Sequence, residues 1–194
     1  MTPALYLASR SPRRRQLLEQ IRIPYAAVDV EVDESCDGAE PARVHALRMA
    51  VNKAIQGREK TSMQAPLPVL AADTVVVLDD EILGKAADRA EAVAMLKRLS
   101  GRSHRVYSAV ALLPADRGVR TELSISRVCF RPLSDAEVAR YCDTGEPFGK
   151  AGGYAIQGLA ATFIERLEGS FSGVMGLPLF ETAKLLRTAG ITLP

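Results

Sequence analysis

Apolar positions along the chain alternate between the two-residue period of a half-buried strand and the longer period of an amphipathic helix. Leu5-Tyr6-Leu7-Ala8 predicts a short buried strand. Ser9-Arg10-Ser11-Pro12 then turns the chain, with Ser11 suited to a helix N-cap and Pro12 to the first helical position, and a helix runs to about Ile21. Val28, Val30 and Val32 interleave with Asp29, Glu31 and Asp33, which predicts a strand ending in the acidic pair Asp33-Glu34. Val44, Leu47, Val51, Ala54 and Ile55 recur at helical spacing from Pro41 to Gly57, with Lys53 near the end of that helix.

From Leu67 to Leu78 the chain is rich in Val and Leu and turns at Asp79-Asp80, a strand pair that brackets Asp73 and Thr74. Asp88 with Glu91, and Ser134 with Glu137, have the spacing of capping boxes, and the helices they open are closed by Gly101 and Gly145. Between them, His104 to Leu113 and Glu122 to Phe130 predict two long antiparallel strands joined by the turn Pro114 to Gly118. Short strands and a helix after Gly176-Leu177-Pro178 complete the chain. No repeat or low-complexity linker divides it, so residues 1–194 are expected to form one mixed α/β domain around a central cleft.

Composition narrows the function without naming it. Lys plus Arg number 25 against 23 Asp plus Glu, a net charge of +2, so there is no global field for coating nucleic acid and any basic function must be local. Cys36, Cys129 and Cys142 have neither the count nor the spacing of a disulfide framework or zinc site; a reducing cytoplasm and buried, inert thiols are the expectation. No segment reads as a secretion signal or membrane span. His45 and His104 lack a nucleophile arranged beside them, and His45 is expected to face solvent.

The local chemistry is concentrated in five places. In Ser9 to Arg15, three arginines occupy the first helical turn and oppose the positive end of the helix dipole, a conflict that a bound phosphate would relieve, although solvated surface arginines read the same way. Asp73 and Thr74 interrupt an apolar strand. A carboxylate there is costly unless paired, metal-bound or lining a cleft, which makes Asp73 a candidate general base or metal ligand, with a local backbone cap as the plain alternative. Glu34 is a further candidate ligand for a hard cation such as magnesium. Lys85 after Gly84 and Lys150 after Gly149 sit beside flexible backbone, as suits donors to phosphate oxygens. Gln157, preceding Gly158, offers one amide that can read a base edge.

In this order, LASRSPRRRQLL, VDES, AADTVVVLDDEILGK, LKRLSGRSHRVYSAVAL, GEPFGKAGGYAIQG and GLPLFET resemble the blocks of the Maf family of nucleotide pyrophosphatases over nearly the whole chain. The resemblance implies a Maf/ITPase-like mixed sheet in two lobes with the active site in the cleft. It makes Asp73 the proton acceptor, lines the phosphate path with Arg13, Arg14, Lys53 and Lys85 beside Ser9, and assigns Glu34, with Asp73, to a divalent cation, magnesium or manganese. Arg13, Thr74 and Gln157 match the branch that hydrolyses dTTP and UTP; the 7-methyl-GTP branch tends to Trp, Gln and Glu there. Ala86-Ala87, Gly149 and Ser108 depart from the family's common residues.

The expected reaction is hydrolysis of dTTP and UTP, and of modified pyrimidine triphosphates, to monophosphate and pyrophosphate. The resemblance attaches this to nucleotide-pool cleansing and cell-division arrest in a cytoplasmic protein with no nucleic-acid or membrane partner, and leaves a homodimer open. The rivals are a pyrophosphatase for 7-methyl-GTP or non-standard purine triphosphates, a non-enzymatic nucleic-acid-binding regulator of septum formation, and a nucleotide-binding module without chemistry.

Overall fold

The computed structural model describes residues 2–35, 40–116 and 118–193; Cys36 lies outside them. The first strand, β1 (Leu5–Ala8), leads through the serine-arginine turn into α1 (Pro12–Gln20) and back to β2 (Tyr25–Val28), parallel to β1. Helix α2 (Ala42–Lys60) crosses to β3 (Val69–Leu78), which also lies parallel to β1. From there the sheet turns antiparallel: β4 (Glu81–Leu83) folds back on β3 through Asp79 and Asp80, both at positive φ, and β5 (Ser103–Leu113) and β6 (Arg120–Phe130) form the long hairpin. Helix α3 (Arg89–Leu99) enters β5, α4 (Asp135–Asp143) leaves β6, and a 3-10 turn at Leu159–Phe163, β7 (Ile164–Glu168), α5 (Phe171–Met175) and α6 (Leu179–Thr188) follow. The sheet order is β2-β1-β3-β5-β6-β7, with β4 paired to β3.

The predicted capping box at Ser134 closes as its spacing requires, its side chain accepting from the backbone N–H of Glu137 and Glu137 taking the N–H of Ser134. At Asp88 only half of the box forms: the Asp88 side chain accepts from the N–H of Glu91, but Glu91 takes the N–H of Ala87 instead of that of the cap residue. Ser11 occupies the N-cap position of α1 without a side-chain cap bond.

The strand predicted around Val28 to Val32 is corrected. Pairing ends at Val28, because β1 stops at Ala8 and offers no partner further on. The polar-apolar alternation continues only as alternating burial, with Val30 in the core and Asp29 and Glu31 exposed.

The core lies in three clusters. One packs α2 against Tyr6, Ala8, Ala71, Val75 and Ala109; a second packs α1 and α6 on the other face against Leu7, Leu70 and Leu112. The third gathers α3, α4 and the β4 end of the sheet around Val76, Leu96, Phe130 and Phe163. Gly57 shows how tightly the first is closed, since a Cβ there would stand 2.7 Å from the Ala8 side chain and 2.9 Å from Val69. Gly57→Ala is therefore expected to lose about 2 kcal/mol of stability in urea denaturation, the overlap outweighing the ~1 kcal/mol gain in helix propensity. A stabilised variant would show that the helix-sheet spacing is slack.

Candidate active site

The cleft exists because β3 runs out of neighbours. On one edge it pairs with β1 only at Val69 and Leu70, and with β4 only from Val76 onward, so residues 71–75 have no strand partner on that edge while β5 covers the other, and Asp73, Thr74 and Val75 line the opening. Consecutive residues of a strand point to opposite faces of a sheet, yet at an open edge both can reach one cavity. Asp73 turns to the α2 face and Thr74 to the α5 face, and both line a cleft of about 950 Å³. Its walls include all nine sequence-predicted residues: Ser9, Arg13, Arg14, Glu34, Lys53, Asp73, Thr74, Lys85 and Gln157.

On the α2 side charges alternate in sign. Lys53, buried on α2, donates to Asp73 Oδ1 at 2.7 Å and to Glu34 Oε1 at 2.8 Å, and Lys85 donates to the other Glu34 oxygen at 2.5 Å. Burial alone would raise the Glu34 carboxyl, but the two ammonium groups overcome it and hold it down at about 2. Asp73 is only 7% exposed, so its charge is tolerable there because Lys53 is within hydrogen-bonding distance.

On the α5 side the charges are all positive. Arg13 donates to the carbonyl of Met175 at 3.3 Å, and Arg14 to the carbonyl of Gly176 at 2.8 Å and the Ser9 hydroxyl at 3.4 Å. The dipole conflict expected in the first turn of α1 is thus eased by carbonyls at the end of α5, while Arg15 turns aside to Asp29. Among the described residues neither Arg13 nor Arg14 has a carboxylate within ion-pair distance. Burial lowers the pKa of both guanidinium groups, and in Arg14 the nearby Asp73 pulls against that lowering while Arg13 adds to it. Two adjacent cations with no carboxylate partner among the described residues, beside Ser9, have the chemistry to hold polyphosphate oxygens.

Gln157 is presented by a loop that sequence reading did not explain. Glu146 accepts the Tyr141 hydroxyl at 2.9 Å and the backbone N–H groups of Leu159 and Ala160 at 3.0 and 3.3 Å. A Cβ on Gly158 would come within 2.4 Å of that carboxylate, so the glycine after Gln157 is there to let Glu146 lie beneath the loop. Lys150, expected to offer its ammonium to phosphate, donates instead to the Glu146 and Phe148 carbonyls at the cleft wall.

His45 is corrected from exposed to buried: it lines the cleft with Nδ1 at 3.0 Å from Glu40, whose carboxylate also takes Arg48. The helical spacing that puts Lys53 on the sheet-facing side of α2 puts His45 there too, two turns earlier, as the pattern of Val44 and Leu47 alone did not reveal. The thiols divide, Cys142 buried and Cys129 half-buried.

Among the described residues no three His, Cys, Asp or Glu side chains are grouped as a metal cage. Of the carboxylates that line the cleft, Asp73 and Glu34 are bridged by one ammonium. That hard-oxygen set suits magnesium, which commonly binds through one or two carboxylates and completes its shell with water and substrate phosphates. No helix among the described residues is long and apolar enough to cross a membrane.

The chain is similar to known proteins over nearly its whole length. The family profile described as Maf-like protein matches residues 4–189. A dTTP/UTP pyrophosphatase of Bordetella avium is 52% identical over 199 residues, covering 99% of this chain and 98% of that protein. One from Alkalilimnicola ehrlichii is 54% identical over 187 residues, covering 95% and 92%. Among solved structures, a HAM1 protein from Coxiella burnetii aligns with a TM-score of 0.48 at 17% identity, over 66% of this chain and 73% of that one.

Proposed function

The chain belongs to the Maf family, and we propose that its cleft hydrolyses dTTP and UTP between the α and β phosphates, releasing the nucleoside monophosphate and pyrophosphate. The observation that carries this reading is the polarity of the cleft, with a carboxylate held by Lys53 on one wall facing Arg13 and Arg14, which have no carboxylate partner among the described residues, on the other. A triphosphate laid between them would put its anionic oxygens against the guanidinium groups and a phosphorus near Asp73.

In this mechanism Asp73 accepts a proton from a water that attacks the α phosphorus. The new P–O bond forms as the bond to the α–β bridging oxygen breaks, and that oxygen leaves with the pyrophosphate. Lys53 holds the Asp73 carboxylate in place, and Lys85 with the arginines meets the charge that grows on the leaving group. A divalent cation held by Asp73 and Glu34 would supply charge neutralisation of the phosphate oxygens. Gln157, Thr74 and Arg13 line the part of the cleft that reads the base, and the two dTTP/UTP pyrophosphatase relatives support a pyrimidine there.

The nucleic-acid reading is less well supported, because Arg13 and Arg14 are committed to backbone carbonyls inside a cleft instead of being spread on a face. A cytoplasmic location fits the substrate.

Pyrophosphate release should be measured from dTTP, UTP, CTP, 7-methyl-GTP and dITP, with magnesium and with EDTA. dTTP and UTP are expected to turn over with magnesium and to stop with EDTA; silence on every nucleotide would overturn the reading. Gln157→Glu is expected to cut the preference for dTTP over 7-methyl-GTP by about tenfold, the worth of one good hydrogen bond, and an unchanged ratio would remove Gln157 from base recognition.

A further inference from the structure

Ser108 is buried on β5, directly across the sheet from Thr74, and does not line the cleft. Its hydroxyl oxygen stands 2.6 Å from the carbonyl of Gly173 and 3.0 Å from the Thr74 hydroxyl. A hydroxyl carries one proton. A carbonyl can only accept, so the Ser108 proton is spent on Gly173. In the Thr74–Ser108 bond the donor must then be Thr74. With its only proton turned back into the sheet, the Thr74 hydroxyl can present nothing but acceptor lone pairs to the cleft.

We propose that Ser108 is a positioning residue for base selection: by accepting the Thr74 proton it makes Thr74 a pure acceptor, matched to the N3–H donor of uracil and thymine and mismatched to the bare N3 acceptor of cytosine. This rests on the proposed reading that Thr74 faces the base. The acceptor is held in place from two sides, because Ser108 also ties β5 to α5, whose following carbonyls hold Arg13 and Arg14. Without Ser108 the Thr74 hydroxyl could rotate and donate, and a site with a free hydroxyl rotor accepts either base edge. Discrimination by hydrogen bonding depends on leaving the wrong partner facing an unpaired or like group.

UTP and CTP carry the same sugar and phosphates, so the ratio of their kcat/KM values isolates the base. In Ser108→Ala that ratio is expected to fall at least tenfold, chiefly through a gain on CTP, while Ser108→Thr, which keeps the hydroxyl, retains the native ratio. Ser108→Cys, whose thiol is a much poorer acceptor, carries the same test if the alanine variant does not fold. Thr74→Val is measured alongside. A role for Ser108 in structure alone would lower kcat/KM for both nucleotides together, and that result, with Thr74→Val still collapsing the UTP preference, would overturn the Ser108 assignment while sparing Thr74. If Thr74→Val also left the ratio unchanged, Thr74 would not face the base, and both readings would fall.

Discussion

Asp73→Asn is expected to lower kcat for dTTP by about a thousandfold, within the range that a positioned general base contributes, with KM changed by less than about threefold. Asparagine keeps the shape of the side chain and an oxygen for Lys53 to donate to, but it cannot take a proton from water. In the proposed mode of binding the triphosphate is held mainly from the opposite wall, at Arg13 and Arg14, so ground-state binding should survive. Stability should change modestly, because Lys53 retains Glu34 as a charged partner when Asp73 is neutralised. Steady-state pyrophosphate release, with thermal unfolding as the control for folding, checks both statements. A kcat within a few-fold of wild type would remove Asp73 from the chemistry.

The second large effect is on stability. His104 is 2% exposed, packed edge-on against Phe130 and Tyr154, with Nε2 at 2.7 Å from the Tyr154 hydroxyl. Burial lowers its pKa from 6.5 to about 4. Between those two values the unfolded chain binds a proton that the native chain refuses, so stability is complete above pH 6.5 and drains away as the pH falls toward 4. At 1.36 kcal/mol per pH unit the loss comes to about 3 kcal/mol. Glu34, Glu40 and Glu137, held at about 2, act lower, as the pH falls from 4.5 toward that value. Urea titrations from pH 5 to 7 should show a slope in wild type that His104→Gln lacks; parallel profiles would show that the imidazole titrates freely in the folded state. Tyr154 is part of the cleft wall, so the same protonation would disturb the site as well as the core.

Much of this molecule was legible before folding because the signals are local. The run Leu5–Ala8, the capping box at Ser134, the N-cap at Asp88 and the two aspartates at the turn after Leu78 each state their conformation within four or five residues, and each of these forms. Asp73 announced itself for a related reason, since a carboxylate amid valines and alanines is costly unless something compensates it, and Lys53 does. His45 reads as exposed from sequence because the apolar residues nearest it, Val44 and Leu47, are themselves exposed or half-buried, and the buried side of α2 is made, apart from Met49, of small and polar residues.

The residues of the chain determine which side chains are out of place in a core, and so point to Asp73, Thr74 and the arginines of the cleft, but not to Glu40, His45 or Glu81 beside them. Only the tertiary structure decides what those groups are to one another. That β1 ends at Ala8 and β4 ends at Leu83 leaves an edge of β3 unpaired between them, so that Asp73 and Thr74, facing opposite sides of a sheet, share one cavity. That β5 lies in a register setting Ser108 opposite Thr74, with Gly173 above both, decides which way a single hydroxyl proton points. Such pairings join residues 34 and 65 positions apart. The free energy that selects them comes from the burial of whole faces of helix and sheet, which no local stretch of sequence contains.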